Sequence, residues 1–325
     1  MGGIDMQKPI LRWLCALLCI LFAAMTAISC SAETVSDEKL KVVATIFPQY
    51  DFLREIAGDK IELSMLLRPG SETHSYEPTP QDILSIQKSD LFVFVGGESD
   101  AWVRTILESA PSDTRMDIAL MELVEASEEQ SHAHDDEHEH EYTHGENHEH
   151  EYDEHVWTSP VNAVEIVSVL TDALCQLDAA NADFYQANAE GYLAELTQLD
   201  ADFREVVETA KRKHVVFGDR FPLTYFVLEY GLTYSAAFPG CASETEPSAA
   251  TIANLMTDIM KEKIPVVFYI ELSNHQIADI LAEQTGAKTA LFYTCHNVSA
   301  DDFAAGKTYL ELMRANVEIL REALN

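Results

Sequence analysis

Basic residues are scarce in this chain: 21 Lys and Arg stand against 55 Asp and Glu, a formal charge of −34. So acidic a surface repels phosphate backbones and anionic headgroups, which excludes nucleic-acid binding. Cysteine is sparse as well. Of six, Cys15, Cys19 and Cys30 fall within the first 30 residues, leaving Cys175, Cys241 and Cys295 in a chain of 325, far from a disulfide-stapled miniprotein. The GxSxG motif of serine hydrolases is absent, as is the HxE with PCxxC of zinc deaminases, and the chain is not read as an enzyme. A disordered acidic protein is excluded too, because 47% of residues are hydrophobic.

Residues 1–30 form a unit of their own. Lys8 and Arg12 precede an uncharged run from Trp13 to Ile28, too short for a comfortable membrane span, and the small residues Ala27 and Ser29 lead into Cys30. This predicts a secretion signal of lipoprotein type, with Cys30 as the lipidated residue and the protein exported, at the cell surface or in the periplasm, touching membrane only through that anchor. An exported protein tolerates a disulfide, and Cys241 with Cys295 is the expected pair, with Cys175 a buried free thiol.

From Leu40 onward, short β-branched or aromatic runs alternate with longer helical ones, the pattern of α/β lobes with largely parallel sheets. Strands are expected at Leu40–Ile46, Ile61–Leu66 and Leu91–Val95, and again at Val215–Phe217, Leu232–Ala236, Val266–Ile270 and Thr289–Phe292. Between the two series, 182–212 contains no Pro, and Tyr185, Tyr192, Leu196, Leu199, Phe203, Val206 and Ala210 recur at the spacing of one helix face. The expected organisation is a first lobe over 31–180, a linking helix over 181–212 and a second lobe over 213–325, with the ligand site in the cleft between them.

One segment belongs to neither lobe. Residues 127–154 and His155 together hold eight of the twelve histidines, twelve acidic residues and no Lys or Arg. Neutral imidazoles among carboxylates make a flexible chelator for borderline divalent metals, so His132, His134, His138, His140, His144, His148 and His150 are expected to capture metal without forming a tight site.

Three other histidines share a context. His74 precedes the helix start Thr79-Pro80-Gln81-Asp82, His155 precedes Ser159-Pro160, and His296 precedes Ser299-Ala300-Asp301-Asp302. Each lies in a loop feeding a capped helix, where the crevice beyond the strand ends binds ligands in open α/β sheets. Three imidazoles plus a carboxylate or water suit tetrahedral zinc. His214, opening a strand, and His275, in an exposed first helical turn, are read as structural or surface residues.

HSYEPTPQDILSIQKSDLFVFVGGESDAW and EHVWTSPVNA, with GLTYSAAFPG, TEPS and AEQTGAK further on, resemble the signatures of the metal-binding solute-binding proteins of ABC importers, the ZnuA/AdcA/TroA-like family. The resemblance implies two (β/α) lobes bridged by a long helix, a zinc or manganese ion between them, and delivery to a membrane permease with its ATPase by a monomeric binding protein. It implies His74 and His155 as ligands. It departs at a third position, where zinc-binding members usually read Phe-His-Asp and this chain reads Phe217-Gly218-Asp219. His296 is then the expected second-lobe nitrogen, with Asp219, Glu271 or water completing the shell, although Asp219 is also read as a cap for a helix near Pro222. Imidazole-rich ligation favours Zn2+ over manganese as the transported ligand. The alternative is an extracellular metal buffer or adhesin using the same residues.

Overall fold

The computed structural model describes residues 39–72, 76–125, 127, 152–238, 240 and 246–325. In chain order the strands and helices are β1 (Leu40–Ala44), α1 (Phe47–Ala57), β2 (Ile61–Met65), α2 (Pro80–Lys88), β3 (Leu91–Phe94), α3 (Ala101–Ser109), β4 (Met116–Ala119), α4 (Pro160–Leu177), α5 (Ala182–Glu208), β5 (His214–Phe217), α6 (Thr224–Tyr230), β6 (Thr233–Ala236), α7 (Ala249–Glu262), β7 (Val266–Tyr269), α8 (Gln276–Thr285), β8 (Lys288–Leu291), α9 (Ala300–Ala304) and α10 (Tyr309–Leu324). Two four-stranded sheets result, ordered β2-β1-β3-β4 and β6-β5-β7-β8, with every pairing parallel. Helices cover both faces of such sheets, which is why the inner strands read as unbroken apolar runs such as LFVF and VVFY.

Seven strands coincide with the expected runs to within a few residues, and β4 was not expected. Its four residues, MDIA, include an exposed Asp117 and carry too little apolar signal to stand out, and it is held as an edge strand by pairing with β3 from Leu91↔Met116 onward.

The helix starts are capped where the sequence places them. Thr79 Oγ1 accepts from Asp82 N at 3.3 Å while the Asp82 carboxylate accepts from Thr79 N at 2.8 Å. Ser159 and Ser299 accept from Asn162 N and Asp302 N. These bonds satisfy donors that would otherwise be orphaned, and they set where each of the three histidine loops ends.

The linking helix α5 is 27 residues, about 40 Å long at 1.5 Å per residue. Its expected stripe is buried from Tyr185 to Val206. It stops at Glu208 rather than Arg212, because Lys211 N and Arg212 N turn away to donate to Leu324 O at the end of α10. Along its length it meets α1, α4, α6 and α10. Val42, Trp157, Phe203, Phe217, Phe268, Phe292 and Leu320 all belong to one continuous apolar cluster, so the two sheets share a core across the helix.

Candidate metal centre

The loops that follow the fourth strand of each sheet converge. From the β4–α4 connection, His155 opens a 3-10 turn over Val156–Thr158 and is 5% exposed. From the β8–α9 connection comes His296, 9% exposed. Their ring centroids are 4.9 Å apart and nearly perpendicular, and the buried Trp157 indole lies against both, at 5.4 and 5.0 Å.

Each histidine is braced by a carboxylate. Asp153 Oδ1 accepts from His155 N at 2.7 Å and lies 2.9 Å from His155 Nδ1. With the proton on Nδ1, the lone pair is on Nε2, the usual arrangement of a metal-bound imidazole held by an acid. Burial alone would raise the Asp153 carboxyl, but the adjacent His155 and the bonds from His155 and Thr224 hold it below its ordinary value. On the other side, Glu271 Oε2 accepts from Thr294 N at 2.8 Å, and Oε1 accepts from Thr294 Oγ1 at 2.6 Å and from His296 N at 3.2 Å. Burial pushes the Glu271 carboxyl up against the pull of these bonds. They hold a turn in which the buried Cys295 adopts a left-handed φ of 59°.

Glu271 and His296 line one cavity together with Ser71, Glu72, Arg220 and Asn297. His74 lies outside the described residues, two positions beyond Glu72. Among the described residues no three His, Cys, Asp or Glu side chains form a group able to hold a metal, so the geometry on view is the His155–His296 pair with Glu271 beside it.

Asp219 does not cap a helix. Its carboxylate accepts from Arg220 N at 2.8 Å and Ile270 N at 3.2 Å, tying the end of β5 to the end of β7, while α6 begins at Thr224 with no side-chain cap. Gly218 before it has a packing reason. A Cβ there would lie 2.4 Å from Ala278 Cα and 2.6 Å from Ala278 N, so the first turn of α8 occupies the space a side chain would need.

The remaining sequence-derived positions fall as follows. His214 opens β5 and meets Thr233 Oγ1 at 2.9 Å and Ser235 Oγ at 3.1 Å, and His275 is an exposed residue preceding α8. Cys175 is a free thiol but only half-buried, with Sγ 3.7 Å from Ala182 O at the start of α5. Cys295, half of the expected disulfide, is a free thiol with no exposed surface, enclosed by the shared core, and its expected partner Cys241 lies outside the described residues. Cys30 and the seven histidines from His132 to His150 also lie outside them.

Sequence reasoning missed Asp153, Trp157 and Asn297. Asp153 is one of twelve acids in its segment and has no local mark, and the other two act through contacts with distant residues.

The family model described as zinc-uptake complex component A periplasmic, ZnuA, matches residues 42–323. The high-affinity zinc uptake system protein ZnuA of Bacillus subtilis (strain 168) is 35% identical over 302 residues, 90% of each chain. The zinc-binding lipoprotein AdcA of Streptococcus pneumoniae (strain R6) is 32% identical over 95% of this chain, which spans only 60% of that protein. Among solved structures, the Zn(II)-bound ZnuA-like domain of the Streptococcus pneumoniae AdcA superposes with a TM-score of 0.71 at 28% identity, covering 88% of this chain and 99% of that one. With a family model spanning nearly all of the body from β1 to α10, the chain belongs to the ZnuA family of zinc-uptake components.

Proposed function

We propose that this protein is the extracytoplasmic binding component of a zinc importer: it captures Zn2+ in the cleft between its sheets and hands it to a membrane permease driven by an ATPase. The observation that carries the reading is the His155–His296 pair, buried, 4.9 Å apart, one from each sheet, with Asp153 seated on the Nδ1 side of His155. Two imidazoles with a third from His74 make a zinc-type donor set, and Glu271, Asp219 or water would complete four-coordination. A donor set so rich in nitrogen favours zinc over manganese. The role is binding without reaction. Export and anchoring through a lipid on Cys30 belong to the same reading.

The acidic histidine segment would act as an auxiliary collector. Its support lies at the neck: Asp153 N donates to Ser127 O at 3.0 Å, and the Tyr225 hydroxyl meets Ser127 N at 3.2 Å and Asp153 O at 2.9 Å. The two ends of the segment therefore meet two residues from His155, so ions held by the segment would be released beside the tight site.

Anomalous diffraction at the zinc edge tests the site, and an ion held by residues other than His74, His155 and His296 would overturn the assignment. Calorimetry on a deletion of residues 128–151 tests the collector: one tight equivalent should remain at lower total stoichiometry. Loss of the tight equivalent would place the site in the segment instead.

A further inference from the structure

The loop that carries His296 is bonded to both first-sheet loops expected to bear ligands. Trp157, two residues after His155, donates from Nε1 to Thr294 O at 2.9 Å. Asn297, immediately after His296 and 2% exposed, donates from Nδ2 to Arg68 O at 3.0 Å and to Ser71 O at 2.8 Å, while its Oδ1 accepts from Val298 N at 2.8 Å. Beside it Gly70 N donates to Val298 O at 2.8 Å, and Gly70 has a left-handed φ of 79° that a side chain would strain. Residues 68–72 lead directly to His74. Every described hydrogen bond of these two side chains across the cleft is to main chain, so it survives any change of side chain on the opposite loop.

We infer that Trp157 and Asn297 are positioning residues for the metal ligands: they join the His155 loop, the His296 loop and residues 68–72 into one frame before zinc arrives and set how slowly zinc leaves. The inference rests on the zinc-binding reading above. Asn suits the task because its amide supplies two hydrogens to two main-chain carbonyls. Asp at the same position would offer no donor and would set a negative charge against both. The indole likewise supplies one N–H that Phe lacks while filling most of its volume.

Partners that orient metal ligands are typically worth about 10–100-fold in affinity. In the full-length protein, Asn297→Asp and Trp157→Phe should each release zinc about 10–100-fold faster in stopped-flow exchange against a chelator. The Co2+-substituted form of each variant should keep the visible d–d spectrum of the wild type, which reports the unchanged donor set, something a general loss of structure would not preserve. Hydrogen exchange on the metal-free wild type needs no variant: the Gly70 amide should be protected without metal. Unprotected Gly70 in the metal-free protein, or wild-type release rates in both variants, would overturn the inference. Failure of the wild type to bind zinc would instead sink the proposed function, and the exchange measurement would still decide whether the frame is assembled.

Discussion

The two loops that follow the fourth strand of each sheet hold equivalent places in the topology, and each delivers one buried histidine to the cleft, yet they are supported differently. On the first-sheet side the bracing acid, Asp153, lies two residues from His155 and reaches both its backbone N–H and its Nδ1. On the second-sheet side the acid, Glu271, sits at the end of the neighbouring strand β7, and its bonds to the loop go to backbone N–H groups and the Thr294 hydroxyl. One acid orients a ring; the other shapes a turn whose φ at Cys295 is left-handed. A repeated fold can thus place like histidines symmetrically while leaving the support of each to whatever acid the local packing supplies.

Removing either imidazole should break the comparison most strongly. His155→Ala and His296→Ala are each expected to weaken zinc binding by on the order of several kcal/mol, read by chelator competition, because the remaining donors cannot complete the shell. A large effect from one and none from the other would mean the two loops are not functional equivalents.

The acids sharpen it. Asp153→Asn and Glu271→Gln should each lower zinc affinity about 10–100-fold. Crystallography should then separate the two roles: the Glu271 variant should shift the 294–296 backbone, while the Asp153 variant should rotate the His155 ring with its backbone in place.

Next in size is Gly218→His, which introduces the imidazole that the family resemblance would lead one to expect at this position. Here it should destabilise the fold by about 1–3 kcal/mol in denaturant unfolding without tightening zinc binding, since Ala278 already occupies the space. Tighter binding in that variant would show that α8 can move aside.

The smallest expected effect lies in the shared core. Asp51, fully buried, accepts from Tyr309 N at 2.7 Å at the start of α10 and pairs with Arg54, and burial pushes its carboxyl up to about 7. A carboxyl whose folded pKa is raised keeps its proton in the native state, so its contribution to stability is full below about 4 and is lost as pH rises toward 7. Metal-free protein should therefore lose some stability between about pH 4 and 7 by thermal unfolding, and Asp51→Asn should flatten that slope.

Much of this was legible in the sequence. The β-branched runs at Val42–Ala44 and Val266–Tyr269, the apolar stripe of α5, and the Thr79, Ser159 and Ser299 caps are local signals, set by side-chain periodicity and by backbone groups a few residues away, and they sufficed for two parallel sheets joined by a long helix. They also singled out His155 and His296. Only the tertiary structure decided that those two rings meet, that Gly218 is closed off by Ala278, that Cys295 is sealed in the core, and that Trp157 and Asn297 reach across the cleft. The physical reason is range: caps and periodicity depend on neighbours within a turn or two. The approach of loops more than a hundred residues apart depends on how two sheets and α5 pack into one shared core, a sum over many weak contacts that leaves no mark at any single position.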